Sequence, residues 1–509
     1  MAKRALIIGG GLGGLFTGAI LAKEGLDVII LEKNRTIGGG LQSFKRFGEV
    51  FDTGMHVVGG LQEGGNIRRI CQYLGIWDKV HAKAIPSECI DKIYIAEDKH
   101  YYEIASGKEQ YVDSLSKYFP HQHDNLVRYV EAICRIVNEM DLFYLRPSSR
   151  DMFSHSEEFN MSADGFIAKY ITDERLRQIV AYINPIYGGC ADTTPAFIHA
   201  TISILHINGL SRFAGGSQRF ADTLCDSIKS RGGKVIVGDG VQHIHTDGRN
   251  ITGVTTCNGQ HFTADYYISD LHPCTLISLF DTPSALPKAY RSRLQEIPNT
   301  YSSFLLYLKL KPKSFPYLDY TGFYVQGYDR IWDIGSSLMV NGNWKNSKCE
   351  AFLYMTPPEI DQGPFSQKMI IAAPMTWQEV CEWECTTVGH RGSDYEEWKR
   401  TKADELLARM EEMYPDFRAC VEDVNSASPL TIRDYFGTKE GSMFGYAKDC
   451  KNMALSLVPV VTKISNLLLT GQCINLHGFC GVPLTAINTC EAILGRNYVI
   501  NKINSHFQS

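Results

Sequence analysis

The sequence has no extended basic stretch of the kind that nucleic-acid-binding proteins carry. Its 509 residues include 51 Lys and Arg against 56 Asp and Glu, which gives a formal net charge of −5, and no run of Lys and Arg exceeds two residues. Because contacts to nucleic-acid phosphates come from clustered basic side chains, we expect no nucleic-acid partner.

Paired metal-ligand motifs are missing as well. The 15 cysteines are scattered, and the closest pair, Cys381 and Cys385, has no second Cys or His pair nearby. A zinc site needs two such pairs, so no metal site is predicted. Reduced thiols, many of them buried, are typical of a cytoplasmic protein.

The two long uncharged stretches do not have the composition of a membrane span. The stretch 5–22 contains six glycines, and the stretch 464–490 contains Pro483 together with three Asn and three Gly. Such residues weaken a membrane-spanning helix. We therefore predict a cytoplasmic protein and leave peripheral membrane contact open.

A dinucleotide-binding pattern occupies the first 32 residues. The sequence GGGLGG at 9–14 satisfies G-x-G-x-x-G, follows a short apolar strand and opens a helix. In this motif Gly9 allows the tight turn, Gly11 lets the backbone approach a pyrophosphate, and Gly14 lets the helix pack on the strand. A further strand ends at Glu32, where a carboxylate can accept hydrogen bonds from ribose hydroxyls.

Another glycine cluster favours FAD over NAD and carries a family resemblance. Residues 38–44 read GGGLQSF, where a nicotinamide-binding fold would begin another helix, and residues 51–59 read FDTGMHVVG. These phrases resemble the phytoene desaturase, carotenoid isomerase and retinol saturase branch of the flavin amine-oxidase-like enzymes, and FDTGMHVVG is most similar to the retinol saturase side. The passages 215–218, 429–441 and 470–483 resemble the same family, so the resemblance spans nearly the whole chain.

The order of these passages predicts two interwoven domains, in keeping with the chain length. We predict an α/β fold in which a discontinuous Rossmann-like FAD-binding domain (1–75, 212–275 and 455–509) is interwoven with an α+β substrate domain (76–211 and 276–454). Residues 110–205 are expected to be a mainly helical insertion, with helices at 110–118, 124–140 and 164–182. Strands are predicted at 234–237, 241–245, 251–257 and 265–268.

The resemblance implies that FAD is bound without a covalent link, with its ADP half near the first glycine motif. Two departures stand out: Leu41 replaces an Arg found in many relatives, and Gln472 replaces an acid found in many flavoproteins. Val482 and Pro483 are expected to open the last helix, whose N-terminus would face the pyrimidine edge of the flavin. The implied cofactor-binding residues are Gly9, Gly11, Leu12, Gly13, Gly14, Glu32, Lys33, Gly39, Gly40, Leu41, His56, Val241, Gly471, Gln472, Val482 and Pro483.

The resemblance also implies saturation, desaturation or isomerisation of a carbon–carbon double bond in a long apolar molecule. His56 is the leading candidate for contact with flavin or substrate and for proton transfer, and His477 and Tyr187 are weaker candidates. G-x-G-x-x-G occurs only once in the sequence, so no second, built-in NAD(P)H site of Rossmann type is expected. A saturase would then need an external reductant, either NAD(P)H visiting the same cleft or a separate donor protein. Apolar residues suited to a substrate tunnel are Phe143, Tyr144, Ile183, Tyr187, Phe197, Ile202 and Leu205.

Two other functions share this scaffold. An amine oxidase or a protoporphyrinogen oxidase would use the same FAD residues, and a prenyl-binding or lipid-binding escort protein would use the fold without catalysis. The FAD motifs are intact at both ends of the chain, which favours an enzyme. The sequence leaves the substrate, the bond, the direction of the reaction and the oligomeric state undecided.

Overall fold

A computed structural model describes residues 2–55, 57–148, 154–282, 285–332 and 348–507. In these ranges the strands are β1 (Arg4–Ile8), β2 (Asp27–Glu32), β3 (Ser43–Arg46), β4 (Glu49–Asp52), β5 (Val57–Gly59), β6 (Ala82–Ala84), β7 (Asp91–Ile95), β8 (His100–Ile104), β9 (Leu210–Phe213), β10 (Lys234–Val237), β11 (Val241–Thr246), β12 (Ile251–Thr256), β13 (His261–Phe262), β14 (Tyr266–Ser269), β15 (Ser302–Leu310), β16 (Thr321–Val325), β17 (Ala351–Met355), β18 (Lys368–Met375), β19 (Val421–Ala427) and β20 (Leu467–Leu469).

The α-helices of the same ranges alternate with these strands. They are α1 (Leu12–Lys23), α2 (Asn66–Leu74), α3 (Lys108–Ser116), α4 (His123–Asn138), α5 (Glu157–Asn160), α6 (Ala163–Tyr170), α7 (Glu174–Val180), α8 (Ala196–Ile207), α9 (Gln218–Lys229), α10 (Pro273–Ser278), α11 (Lys288–Glu296), α12 (Ser393–Met413), α13 (Phe417–Cys420), α14 (Pro429–Phe436), α15 (Met453–Ser456), α16 (Gly478–Leu494) and α17 (Tyr498–His506). None of these helices combines the length and the apolar composition that a membrane crossing requires.

The first sheet is parallel and has the strand order β10-β2-β1-β14-β20. Its strands are apolar on both faces, as parallel strands covered on both sides are. Helices α1, α9 and α16 share a hydrophobic core on one face, and β11, β12 and α10 contribute to the core on the other. The Rossmann-like α/β fold is therefore confirmed, and the strands predicted at 234–268 are present.

This sheet is assembled from three separate parts of the chain. Strands β1 and β2 come from the N-terminal part, β10 and β14 from the middle, and β20 from the C-terminal part. All five lie within the ranges that the sequence assigns to the FAD-binding domain, while the domain boundaries themselves stay predictions. The assembly brings the carboxyl ends of β1, β14 and β20 side by side, which is the edge where parallel sheets bind ligands.

A second sheet, with the order β19-β15-β18-β17-β16-β7-β8, forms the core of the remaining chain. Its neighbouring strands are antiparallel except for β16 and β7. Strands β16 and β17 are buried along their whole length, and the inner side of α12 packs in the same hydrophobic core. A mixed sheet with helices on it matches the expected α+β substrate domain.

The segment between β8 and β9 is helical, as predicted, and contains α3 to α8. The single helix expected at 164–182 is wrong, because the chain breaks into α6 and α7. Asp173 explains the break, since its side chain accepts a hydrogen bond from the backbone N–H of Leu176 and caps α7. Helix α8 is almost entirely buried, so it is a central element and not a surface one.

Candidate flavin site and apolar cavity

The glycine loop after β1 leads into the first turn of α1, where backbone N–H groups can bind an anion. Gly9 has φ +102°, a conformation that favours glycine, and its N–H donates to the carbonyl of Leu31 over 2.9 Å. Gly11 is the N-cap of α1 and contributes no side chain there. The backbone N–H groups of this helix end suit the pyrophosphate of a dinucleotide.

The two glycine motifs at opposite ends of the sequence meet at this loop. A methyl group built on Gly13 would lie 2.8 Å from the Cα of Gly471, and one built on Gly14 would overlap the carbonyl oxygen of Gly9. A methyl group on Gly39 would lie 3.1 Å from the Cα of Gly11. We call the space bordered by Gly11, Gly13 and Gly471 the glycine cradle; it is narrow because its walls are backbone.

Glu32 and its neighbours lie beside the cradle. The carboxylate of Glu32 is buried, and its oxygens accept from the backbone N–H groups of Gly10 at 2.7 Å and Asn34 at 2.8 Å. The ammonium of Lys33 donates to the carbonyl of Asp434, and burial lowers the pKa of Lys33. Gly240 packs on Lys33, so Val241 follows directly beside the end of β2, where the resemblance places adenine.

The residues expected along the rest of the cofactor differ in their burial and in the space around them. Gly39 and Leu41 bound a short 3-10 turn, and Gly40 has open space around it. The Leu41 side chain is buried in the core, so its backbone is the part that can face a cofactor. Gln472 is half-buried next to Gly471, and Leu12 is the first residue of α1.

The last helix of this site begins earlier than the sequence predicted. Val482 and Pro483 were expected to open it, because proline favours the first turn of a helix. Instead α16 begins at Gly478, and Pro483 lies inside it with His477 as the N-cap. The prediction is wrong because Gly478, with φ +74°, turns the chain into the helix five residues before the proline.

His477 at this helix end has no partner for either ring nitrogen. The residue is 8% exposed, and neither Nδ1 nor Nε2 makes a hydrogen bond within the described residues. Burial, with a smaller contribution from the charge of Lys448, lowers the pKa of His477 to about 3. A neutral imidazole with both nitrogens unsatisfied is costly unless a bound molecule completes its hydrogen bonds.

An apolar cavity opens beside His477 and extends between α8, β5 and the first turn of α16. Its volume is about 70 Å³, and part of its boundary is open to solvent. Phe143, Ile202 and Leu205 from the predicted tunnel set line it. The remaining lining residues are Val57, Val58, Gly59, Ile186, Ile198, Thr201, His206, Leu210, Leu476, His477, Gly478, Phe479, Cys480, Gly481 and Leu484.

The other predicted tunnel and catalytic residues are not brought to this cavity. Tyr144, Ile183 and Phe197 are absent from its lining. Tyr187 is also absent; its hydroxyl lies 3.1 Å from Nδ1 of His199, and burial raises the pKa of Tyr187 well above its usual range. His56, the leading candidate, lies outside the described residues.

His206 is a candidate that the sequence did not suggest. It lies on α8, lines the cavity, and its Nδ1 is 2.8 Å from Oδ2 of Asp91, which also accepts a hydrogen bond from the hydroxyl of Tyr182 at 2.6 Å. Both His206 and Asp91 are buried. No motif signals this pair, because 115 residues separate its members and tertiary structure alone brings them together.

Comparison with known proteins places this arrangement in a family. The model of the family described as flavin containing amine oxidoreductase matches residues 12–343. The chain belongs to this family. It is an FAD-dependent oxidoreductase, as predicted, and the glycine loop at the start of α1 suits the close approach that a dinucleotide pyrophosphate needs. The described residues contain no cluster of His, Cys, Asp or Glu placed to hold a metal ion.

Curated relatives and a solved structure agree with this membership. The chain is 26% identical to an all-trans-retinol 13,14-reductase of Danio rerio, over 97% of this chain and 86% of the relative. It is 22% identical to prolycopene isomerase 2 of an Oncidium hybrid cultivar, over 95% of this chain and 82% of the relative. The fold is similar to that of an oxidoreductase from Methanosarcina mazei, with a TM-score of 0.63, 16% identity, and coverage of 96% of this chain and 100% of that one.

Proposed function

We propose that this oxidoreductase saturates, desaturates or isomerises a carbon–carbon double bond in a long polyene such as a retinoid, a carotenoid or another isoprenoid lipid. The observation that carries the proposal is the apolar cavity between α8 and the N-terminus of α16. A lining dominated by aliphatic and aromatic side chains, with few polar groups, suits a hydrocarbon substrate.

The same lining argues against an amine substrate. Among the described lining residues there is no Asp, Glu, Lys or Arg that could pair with an ammonium group or a carboxylate of a substrate. Burying a charged substrate without a partner is costly. The relatives support the same conclusion, because their names specify retinol and prolycopene, which are both polyenes.

The protein would contribute binding, orientation and a proton. A flavin held at the glycine cradle supplies hydride donation or acceptance when bound. The apolar lining of the cavity would align the hydrocarbon along α8. The Asp91 carboxylate accepts from Nδ1 of His206 and so orients the ring, which leaves Nε2 as the ring nitrogen available to exchange a proton with the substrate. His477 is free to hydrogen-bond a polar end of the substrate or the cofactor.

Two further proposals concern supply of electrons and substrate. A saturase would need an external reductant, and we propose NAD(P)H at the same cleft or a separate donor protein. A lipid substrate would reach the cavity from a membrane surface, so we propose a cytoplasmic protein with peripheral membrane contact.

The proposal is tested with purified, FAD-loaded protein under anaerobic conditions. The reduced protein is incubated with all-trans-retinol or prolycopene. The oxidised protein is incubated with the same polyenes and with putrescine. Products are separated by chromatography and identified by mass spectrometry. We expect a product with two hydrogens added or removed, or a geometric isomer, from a polyene alone. Turnover of the amine alone would overturn the substrate class. A colourless protein that takes up no added FAD would indicate a lipid-binding escort.

A further inference from the structure

A carboxylic acid occupies the glycine cradle. Asp270 follows β14 directly, and its N–H donates to the carbonyl of Ile8 at the end of β1 over 2.9 Å. A methyl group built on Gly11 would lie 2.6 Å from Oδ2 of Asp270, and methyl groups built on Gly13 and Gly471 would overlap Oδ1. The carboxyl oxygens therefore lie in the cradle, against the backbone of all three glycines.

A dinucleotide pyrophosphate would approach the same glycine backbone. The motif keeps glycine at these positions so that phosphate oxygens can approach the backbone and the N-terminus of α1. A pyrophosphate carries negative charge, and an ionised Asp270 in the same cradle would repel it across a few ångströms in a partly desolvated site.

The groups that face Asp270 supply no compensating cation. From α1 the backbone N–H groups of Gly11 and Gly14 point toward it, from β2 it faces the carboxylate of Glu32, and after β20 it faces the thiol of Cys473. No Lys, Arg or His in the described part of the chain forms an ion pair with it. Burial, with a further contribution from Glu32, raises the pKa of Asp270 to about 7, against the two backbone N–H groups that lower it.

We propose that Asp270 couples FAD binding to uptake of a proton, because its carboxyl group shares the glycine cradle with the pyrophosphate and must be neutral there when the cofactor is bound. In the neutral form the hydroxyl of Asp270 donates a hydrogen bond to a phosphate oxygen. In the ionised form the carboxylate competes with the phosphate for the N–H groups of α1. FAD is then held firmly at low pH and released as the pH rises.

The sign and size of the effect follow from linkage. Asp270 is protonated below its pKa in the free protein, and a neighbouring pyrophosphate raises that pKa further, so the bound state holds more protons. Above pH 7 the dissociation constant of FAD then rises with pH, by at most tenfold for each pH unit. Between pH 7 and pH 9 the dissociation constant should rise by about tenfold or more.

The test is a titration of the full-length apoprotein with FAD, followed by quenching of flavin fluorescence between pH 6 and pH 9. For the wild-type chain we expect the dissociation constant to rise about tenfold or more above pH 7, and for Asp270→Asn we expect a nearly flat profile with tighter binding than wild type at pH 9. Calorimetry at pH 8 in two buffers of different ionisation enthalpy should show proton uptake for the wild type and little for the variant.

Asp265→Asn is the matched control. Asp265 lies five residues away, is exposed, and accepts a hydrogen bond from the backbone N–H of Arg4, so this variant should keep the wild-type pH profile. Asp270→Ser and a circular dichroism spectrum guard against a variant that fails to fold. The proposal is overturned when wild type and a folded Asp270 variant show the same pH profile, or when binding takes up no proton.

Discussion

The packing of α1 against the glycine loop leads to a prediction that one methyl group can test. A Cβ on Gly14 would overlap the carbonyl oxygen of Gly9, at a separation well inside the 3.0 Å that real Cβ contacts respect, and would also meet Ile7 Cγ2 at 3.2 Å. The nearest obstacle is backbone, so Gly14→Ala must displace the start of α1 from β1. That shift moves the N–H groups that would hold the pyrophosphate.

Overpacking of this kind typically costs about 1–3 kcal/mol. Should that energy be lost from the cofactor-binding conformation, FAD affinity falls by about five- to 150-fold. Gly18→Ala on the same helix is the control, because a Cβ there meets the terminal methyl groups of Ile30 at 3.0 Å and of Ile228 and Ile7 at 3.2 Å, which can rotate away. The gain in helix propensity, about 0.5–1 kcal/mol, offsets that crowding.

The assay measures FAD dissociation constants by fluorescence quenching and apoprotein melting temperatures for the two variants. We expect Gly14→Ala to lose affinity and Gly18→Ala to bind FAD within about threefold of wild type. Wild-type affinity in Gly14→Ala, or an equal loss in both variants, would refute the view that the contact between Gly14 and Gly9 sets the geometry of the site.

Three further variants test the cavity, His206 and its buried partner Asp91. Ile202→Trp fills the cavity and should abolish polyene turnover while FAD binding is retained, whereas the exposed Asn208→Trp should change neither; equal turnover in both would contradict the cavity as the substrate site. His206→Gln should lower kcat by about 10²–10⁴-fold with little change in KM, since it removes a proton donor, and an unchanged kcat would exclude that role. Asp91→Ala removes the acceptor that two buried groups share and should cost about 3–5 kcal/mol in urea unfolding, against about 0.5 kcal/mol or less for the exposed Asp78→Ala; equal losses would contradict a stabilising role for the buried Asp91.

Local signals made the cofactor half of the fold predictable. The strand, glycine turn, helix and following strand at 4–32 are contiguous in sequence, so each step carries its own composition signal. The strands around 234–268 and the helical segment after β8 were predictable for the same reason. The start of α16 was not, because Pro483 is a stronger sequence signal for a helix start than Gly478, where the helix begins.

Residues that come together only in the tertiary structure leave no signal in the sequence. Asp270 carries no motif, and its place in the glycine cradle depends on parallel pairing of β14 with β1 and β20. His206 is indistinguishable from any other residue of an apolar helix until Asp91, which begins a strand of the second sheet, is placed beside it. These residues differ from other Asp and His residues in their burial and in their hydrogen-bond partners, and a single sequence shows neither property.

The central claim is that this flavoprotein acts on carbon–carbon double bonds of a polyene, and one anaerobic experiment tests it most directly. The flavin spectrum of the purified protein is followed while either a polyene or an amine is added, and the products are identified by mass and retention time. The account predicts a polyene product, formed by two-hydrogen transfer or by isomerisation, and no reduction of the flavin by putrescine. Reduction of the flavin by the amine, with polyenes recovered unchanged, would contradict it.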